Sequence, residues 1–153
     1  MKDHSTLEKI KAYCAYQERS HKEVRTKLLS LKVYGHELEQ HIGVLIEENF
    51  LNEERYARSL ARGKFRMKQW GRLKILQALQ QQDISSYCIQ QAMTEIDEAE
   101  YEQTLKQLAQ KKLESVDTSY DDFTRKGKVI QYLLQKGYEY PRIQEILNDL
   151  KNT

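Results

Sequence analysis

Apolar side chains recur along the chain at the three- and four-residue spacing of amphipathic helices, and the same arrangement occurs three times. The second set follows the first after 51 residues, and the third follows after a further 54 residues. Each set predicts two helices joined by a short turn, with one apolar side chain in the turn. The repeated positions are Val24, Leu28, Val33, Leu38, Ile42 and Leu45; Ile75, Leu79, Ile84, Ile89, Met93 and Ile96; and Val129, Leu133, Tyr138, Ile143, Leu147 and Leu150.

A further helix is predicted before each pair, over residues 6–19, 53–68 and 98–113. No segment alternates apolar and polar residues for long enough to predict a strand, so the fold class is all-α. The chain is then three tandem three-helix repeats over residues 1–50, 51–97 and 98–153. Because units of this size bury little surface alone, we expect them to pack on one another in an elongated body that can be curved. The alternative is one compact nine-helix bundle without a true repeat.

Several short patterns predict where helices begin and end. Asn52 precedes two glutamates, which favour the positive end of a helix. Pro141 suits the first position of a helix, and Gly35 and Gly137 suit helix ends or turns. Three Ser/Asp-x-x-Glu patterns predict capping boxes: Ser5 with Glu8, Ser20 with Glu23, and Asp97 with Glu100.

Charge is distributed unevenly, although the net charge is only +2. The segment from Arg55 to Gln82 holds eight basic residues and none of the 23 acidic residues of the chain. The sequence therefore has a basic middle set between acidic ends, which favours an anionic partner for the middle. The near-neutral total argues against DNA as the sole partner.

Four arginines of this segment are spaced three, four and four residues apart, so on a helix they form one stripe. Lys64 and Lys68 fall on a neighbouring line. Since no acid occurs within this face, we expect the stripe to lack neutralising partners and to bind carboxylates or phosphates. An ordinary solvated face is the alternative. The predicted partner-binding or DNA-binding residues are Arg55, Arg58, Arg62, Lys64, Arg66, Lys68, Trp70, Arg72 and Lys74.

The aromatic residues allow two interpretations. Trp70 either stacks on a base or a guanidinium group, or anchors the joint between two repeats. The tyrosines at helical apolar positions are expected in a thin core, with a stacking platform for nucleic acid as the alternative. These tyrosines are Tyr13, Tyr16, Tyr56, Tyr101 and Tyr132.

No motif in the sequence predicts catalysis. There is no glycine-rich phosphate loop, and HExxH, CxxC and GxSxG patterns do not occur. We therefore expect a protein that is not an enzyme and needs no cofactor or metal. Cys14 and Cys88 have no close Cys or His neighbour and are expected to be buried free thiols. With no apolar signal segment and no run of transmembrane length, the predicted location is the cytoplasm.

Three segments carry a resemblance to a known family. Arg19-Ser20-His21-Lys22-Glu23-Val24 is similar to the opening of the first repeat of the RecX family, bacterial proteins that regulate the RecA recombinase filament. The segment from Phe50 to Ala57 (Phe-Leu-Asn-Glu-Glu-Arg-Tyr-Ala) is similar to the most distinctive stretch of the family, an aliphatic pair, an acidic cap and then Arg-aromatic-Ala. Gly71, followed by Arg72 and Leu73, is similar to the glycine that opens the next helix. The resemblance covers nearly the whole chain.

This resemblance implies a function that the pattern of apolar residues cannot give. RecX proteins bind RecA, lie in the groove of its filament on single-stranded DNA, and suppress its ATPase and strand exchange in recombination and DNA repair. The expected partners are the RecA filament and single-stranded DNA, contacted directly or through the filament, and the expected state is a monomer without a membrane. The alternative function is a helical DNA-binding protein that acts without RecA, with strongly salt-dependent binding to bare DNA.

Overall fold

The computed structural model describes residues 2–151, with side chains from Ser5 to Lys151, and this part of the chain contains helices and no strand. The all-α prediction is therefore confirmed. None of these helices is both long and apolar enough to cross a lipid bilayer. The helices are α1 (Lys2–Tyr16), α2 (His21–Ser30), α3 (Gly35–Glu47), α4 (Glu53–Lys68), α5 (Arg72–Gln81), α6 (Ser86–Met93), α7 (Glu98–Ser115), α8 (Asp122–Lys136) and α9 (Tyr140–Lys151).

The predicted caps hold at three helix starts and fail at one. The side chains of Asn52 and Asp97 each accept a hydrogen bond from a backbone amide of the following first turn. Ser20 and Glu23 form the full capping box. The prediction that Ser5 begins a helix is wrong, because α1 already begins at Lys2 and Ser5 lies inside it. A Ser-x-x-Glu pattern marks a start only where the serine backbone leaves the helical conformation.

Ser20 has a second role in addition to its role as a cap. Its Oγ accepts from the Glu23 amide at 3.0 Å and donates to Gln82 Oε1 at 2.6 Å. The side chain is fully buried. A single hydroxyl group thus begins α2 and joins it to the turn that follows α5.

Contacts divide the chain into two compact units. The first comprises the described residues up to Leu60 together with Leu79–Ala92, and the second comprises Ala61–Ala78 and the described residues from Met93 onward. The repeat boundaries at residues 50/51 and 97/98 stay a prediction. The core of the first unit includes Ile10, Cys14, Val24, Leu28, Val33, Leu38, Ile42, Leu45 and Leu51.

All but three of the repeated apolar positions are buried, and the exceptions are Ile89, Met93 and Leu150. In α6 the buried face lies one residue earlier than predicted, at Cys88 and Ala92. The shift arises because α6 ends at Met93 and the last apolar side chain of this repeat, Ile96, reaches the core from the turn beyond it.

The cysteine prediction is confirmed, since Cys14 and Cys88 are both buried and free. The tyrosine prediction is confirmed for Tyr56 and Tyr101, which are buried. It is wrong for Tyr16, which is 83% exposed because α1 ends there.

In the second unit, two glycines bring the α4–α5 connection against the α8–α9 connection. The Gly71 amide donates to the Lys136 carbonyl at 2.8 Å, and the Leu73 amide donates to the Gly137 carbonyl at 2.9 Å. A Cβ at Gly71 would lie 2.3 Å from the carbonyl atoms of Gly137. Gly137 also ends α8 with a φ of +100°, which confirms its predicted place at a helix end.

Two side chains at and just after the end of α8 reinforce this backbone contact. The buried Tyr138 donates its hydroxyl to the Gln69 carbonyl at 2.9 Å, and Lys136 Nζ donates to the Lys68 carbonyl at 3.0 Å. Gln69 itself has a φ of +57°, so the chain turns sharply where α4 ends. The end of α4 is therefore held in place by the end of α8.

Gly71→Ala is expected to lower the free energy of unfolding by about 2 kcal/mol or more, because the new methyl group would overlap backbone that cannot move aside. Gly127→Ala is the matched control: it lies inside α8 with no atom within 4 Å of the added Cβ. That substitution should raise the free energy of unfolding by about 0.5–1 kcal/mol. Urea unfolding, monitored by circular dichroism, measures both free energies. Equal effects of the two substitutions would contradict the close approach of Gly71 to Gly137.

Ser20→Ala is expected to lower the free energy of unfolding by about 1–2 kcal/mol, since the cap and the bond to Gln82 are lost together. Ser5→Ala should cost nothing, because Ser5 is exposed inside α1, where alanine is the better helix former. The same unfolding measurement distinguishes the two variants. A larger loss for Ser5→Ala than for Ser20→Ala would restore Ser5 as the cap.

Candidate cationic binding surface

The first arginine of the predicted stripe is held inside the first compact unit. Arg55 Nε donates to Glu18 Oε2 at 2.7 Å, and the two terminal nitrogens bond to the side chain and the carbonyl of Asn49 at 3.0 Å. Its side chain is 36% exposed. Arg55 thus ties the start of α4 to the α1–α2 connection and to the α3–α4 connection.

Arg58 is also engaged within the first unit. Its Nε pairs with Glu54 one turn earlier in α4 at 2.9 Å, and Nη2 donates to Gln91 Oε1 of α6 at 3.0 Å. The guanidinium group therefore links α4 to α6.

In the second unit, Arg62 Nη1 pairs with Glu95 Oε1 at 2.5 Å. Together with the pairs of Arg55 and Arg58, this bond overturns the expectation of a stripe without neutralising partners. The reason is that Glu18 and Glu95 lie 37 and 33 residues away from their arginines along the chain. An acid-free stretch of sequence does not make an acid-free surface, because the α1–α2 and α6–α7 connections supply these acids. Only the pair with Glu54, at the helical i, i+4 spacing, is visible in the sequence.

Arg72 is engaged in a network that joins α5, α7 and α9. Its Nη2 donates to Glu98 at 2.7 Å, and its guanidinium carbon lies 3.9 Å from the ring centre of Tyr101. The Tyr101 hydroxyl accepts from the Arg72 amide and donates to Glu139, while Arg142 also pairs with Glu98. The hydrogen bonds from the two arginines lower the pKa of Glu98, so the carboxylate stays ionised.

Burial raises the pKa of the Tyr101 phenol, with the hydrogen bond to Glu139 adding to the shift, so the hydroxyl remains protonated. The sequence predicted Tyr101 only as a core residue. Its bonds to Arg72 and Glu139 were not foreseeable, because they join residues 29 and 38 positions apart.

Trp70 lies close to two lysines in the second unit. Lys64 Nζ is 4.9 Å from the indole ring and Lys74 Nζ is 4.6 Å from it. Trp70 remains partly exposed. Attraction between an ammonium group and an indole ring holds both charges beside an accessible aromatic surface. Trp70 also directly precedes Gly71, so this surface adjoins the backbone contact of the two connections.

Arg66 and Lys68 occupy the last turn of α4 and are exposed. Neither forms an ion pair with any acid among residues 5–151, the part whose side chains the structure describes. Within the predicted set, five residues of the second unit therefore keep their charge or ring available. We call them the cationic segment: Lys64, Arg66, Lys68, Trp70 and Lys74.

Two sequence models of one protein family match this chain. One, for the second three-helix domain of RecX, matches residues 52–93, and one for the third three-helix domain of RecX matches residues 99–147. These matches agree with the helix groups α4–α6 and α7–α9.

Named relatives and solved structures agree with the domain matches. The chain is 32% identical over 136 residues to the regulatory protein RecX of Clostridium botulinum, covering 88% of this chain and 63% of that protein. It is 32% identical to the regulatory protein RecX of Lactococcus lactis subsp. cremoris over 131 residues, covering 84% and 48%. The chain thus spans less than two thirds of the length of these relatives, which are named as regulatory proteins and not as enzymes.

The crystal structure of RecX from Lactobacillus salivarius superposes with a TM-score of 0.88 at 24% identity, covering 99% of this chain and 98% of that one. A second crystal structure of a regulatory protein RecX superposes with a TM-score of 0.85 at 22% identity, over 96% and 72% of the two chains. These likenesses show the shared fold. With two consecutive domain matches and named relatives in agreement, the chain belongs to the RecX family.

Proposed function

We propose that this protein regulates the RecA recombinase by binding its filament on single-stranded DNA and suppressing ATP hydrolysis and strand exchange in recombination and repair. Membership of the RecX family is the observation that carries the proposal. The chemistry of the cationic segment supports it, because four unopposed cations and an accessible indole suit an anionic assembly. The chain spans 63% of the Clostridium botulinum relative. The RecA partner is therefore proposed for this chain and is argued from its own surface residues.

The cationic segment is the part of the predicted site best suited to contact. Arg66, Lys68, Lys64 and Lys74 repel one another with no acid to relieve them, so a bound anion lowers their mutual repulsion. Arg66 offers a planar group that can bind a carboxylate or a phosphate through two parallel hydrogen bonds.

The other predicted residues have a different part in this proposal. Arg55, Arg62 and Arg72 pair with acids of other segments, and Arg58 pairs with Glu54 and bonds to Gln91 of α6. We assign them to positioning the surface. Replacing any of them by glutamate would set two carboxylates against each other, so such variants test folding as much as binding.

Suppression of ATP hydrolysis requires no active site in this chain. A partner that binds one geometry of a filament more tightly than another shifts the population toward that geometry. Three consecutive three-helix domains give several contacts on one chain, and linked contacts raise the effective affinity of each.

The protein is proposed to work as a monomer in the cytoplasm, without a cofactor.

A second candidate is a helical DNA-binding protein that acts without RecA. The position of Trp70 beside two lysines favours it, since an aromatic ring close to cations suits a base and its phosphates. This candidate requires tight binding to bare DNA that falls steeply as salt rises, with no effect on RecA at salt concentrations where DNA binding is lost.

The double variant Arg66→Glu, Lys68→Glu is expected to raise the concentration needed for half-maximal inhibition of RecA ATPase on single-stranded DNA at least tenfold. Both residues are exposed and free of acid partners, so the fold should be kept while contact with an anionic surface becomes repulsive.

The control Lys9→Glu, Lys106→Glu makes the same change of charge at two exposed helical lysines outside the predicted site. It should inhibit as the unaltered protein does, and circular dichroism should show equal helicity for all three. Unchanged inhibition by the Arg66 and Lys68 variant would remove the cationic segment from the function. An unaltered protein that leaves the ATPase rate unchanged at any concentration would overturn the proposed function itself.

A further inference from the structure

A second group of lysines, on α7 and α8, lies against the rings of Tyr132 in α8 and Tyr120 in the α7–α8 connection. Lys112 Nζ is 4.9 Å from the ring centre of Tyr132, and Lys136 Nζ is 5.9 Å from it. Lys128 Nζ is 4.8 Å from the ring centre of Tyr120. All five belong to the second compact unit.

Two adjoining cavities open beside these rings. One has a volume of about 410 Å³ and the other of about 450 Å³, which is within the range of small-ligand sites, about 300–1,000 Å³. Lys112, Ser115 and Tyr132 line both cavities. The Tyr132 ring and the Lys112 ammonium group therefore stand at the boundary between two compartments of similar size.

The charge around these cavities is positive. The 410 Å³ cavity is lined by Lys111 and Lys112 and by no acid. The 450 Å³ cavity contains Lys112, Lys128 and one acid, Asp117. The Asp117 carboxylate is engaged locally, since it accepts from the Ser119 amide at 2.9 Å, and this bond lowers its pKa.

The uncharged groups in the lining are those that recognise nucleobases. Gln69 and Gln107 offer amide donors and acceptors in the smaller cavity, and Ser115 offers a hydroxyl in both. Tyrosine rings stack on any base, and lysine ammonium groups neutralise phosphates as point charges. Amides, rings and ammonium groups together match a nucleotide at its base edge, its base plane and its phosphate.

We propose that the two cavities form a groove for single-stranded nucleic acid, with Tyr132 between two consecutive nucleotides and Lys112 beside the phosphate that joins them. The proposal deepens the proposed function, since it gives this chain a direct contact with the strand on which a RecA filament forms. The groove shares no residue with the cationic segment, and Gln69 of its lining directly follows Lys68.

Two other anionic partners fit the groove less well. Paired bases of a duplex are stacked inside the helix and cannot enter separate cavities. An acidic protein surface would satisfy the lysines and the amides but would leave the tyrosine rings without a base to stack on. The groove should therefore prefer a single strand to a duplex and to an acidic polypeptide.

The test uses the full chain and a fluorescent oligodeoxythymidine of 20 nucleotides, with no RecA present, and measures binding by anisotropy over a range of salt. Tyr132→Phe keeps the ring and should bind within twofold of the unaltered protein. Tyr132→Leu removes the ring and should bind about tenfold more weakly, because stacking on one base is lost. A duplex of the same length and poly-glutamate serve as competitors, and both should compete poorly.

Lys112→Gln tests the phosphate contact, with Lys106→Gln as a matched control on the exposed surface of the same helix. Loss of one phosphate contact should reduce the slope of log affinity against log salt by about 0.7, and the control should leave it unchanged. Because Lys112 is not fully buried, this pair stays informative even where Tyr132→Leu disturbs folding.

Three results would overturn the groove: no binding of the single strand, equal effects of Lys112→Gln and Lys106→Gln, or equal competition by duplex or poly-glutamate. Since RecA is absent from this assay, none of these results bears on filament inhibition, which the ATPase measurement tests separately. Failure of the groove and failure of the proposed function are therefore distinguishable.

Discussion

The direct contact between the backbones of Gly71 and Gly137 is the constraint on which the candidate binding surface depends. Only glycine can occupy either position, because an added Cβ at one would meet the backbone of the other connection and at the other would meet Lys74. The contact sets Trp70 and Lys68 on one side and Lys136 on the other. Residues far apart in the sequence thereby come to share one region of the second compact unit.

Pairing within the chain separates the basic residues into two classes. Arg55, Arg58 and Arg62 are neutralised by carboxylates of other segments or of the preceding helical turn, whereas Arg66 and Lys68 are not. Ion pairs on the solvent-exposed surface contribute only about 0–1 kcal/mol each to stability. Their larger effect is to reduce the positive electrostatic potential at the surface. Fewer basic residues are therefore available to attract an anion than the basic segment of the sequence contains.

The helices and most of the core could be predicted from the sequence, because apolar spacing and caps are local signals. The bounds of α4 follow from Asn52 at one end and from loss of the pattern at the other. What could not be predicted depends on contacts between distant segments, such as the pair of Arg55 with Glu18. The cavities beside Tyr132 belong to the same class, since α7, α8 and the end of α4 supply their walls.

Under the proposed function, the basic residues of the second compact unit that have no acid partner face the RecA filament. Their accessibility is measured by lysine acetylation of the protein, free and bound to a RecA filament on single-stranded DNA, with mass spectrometry at each site. We expect Lys64, Lys68 and Lys74 to become protected on binding while Lys9 and Lys106 react as before. Protection confined to lysines of the first compact unit, or equal protection of all of them, would contradict it.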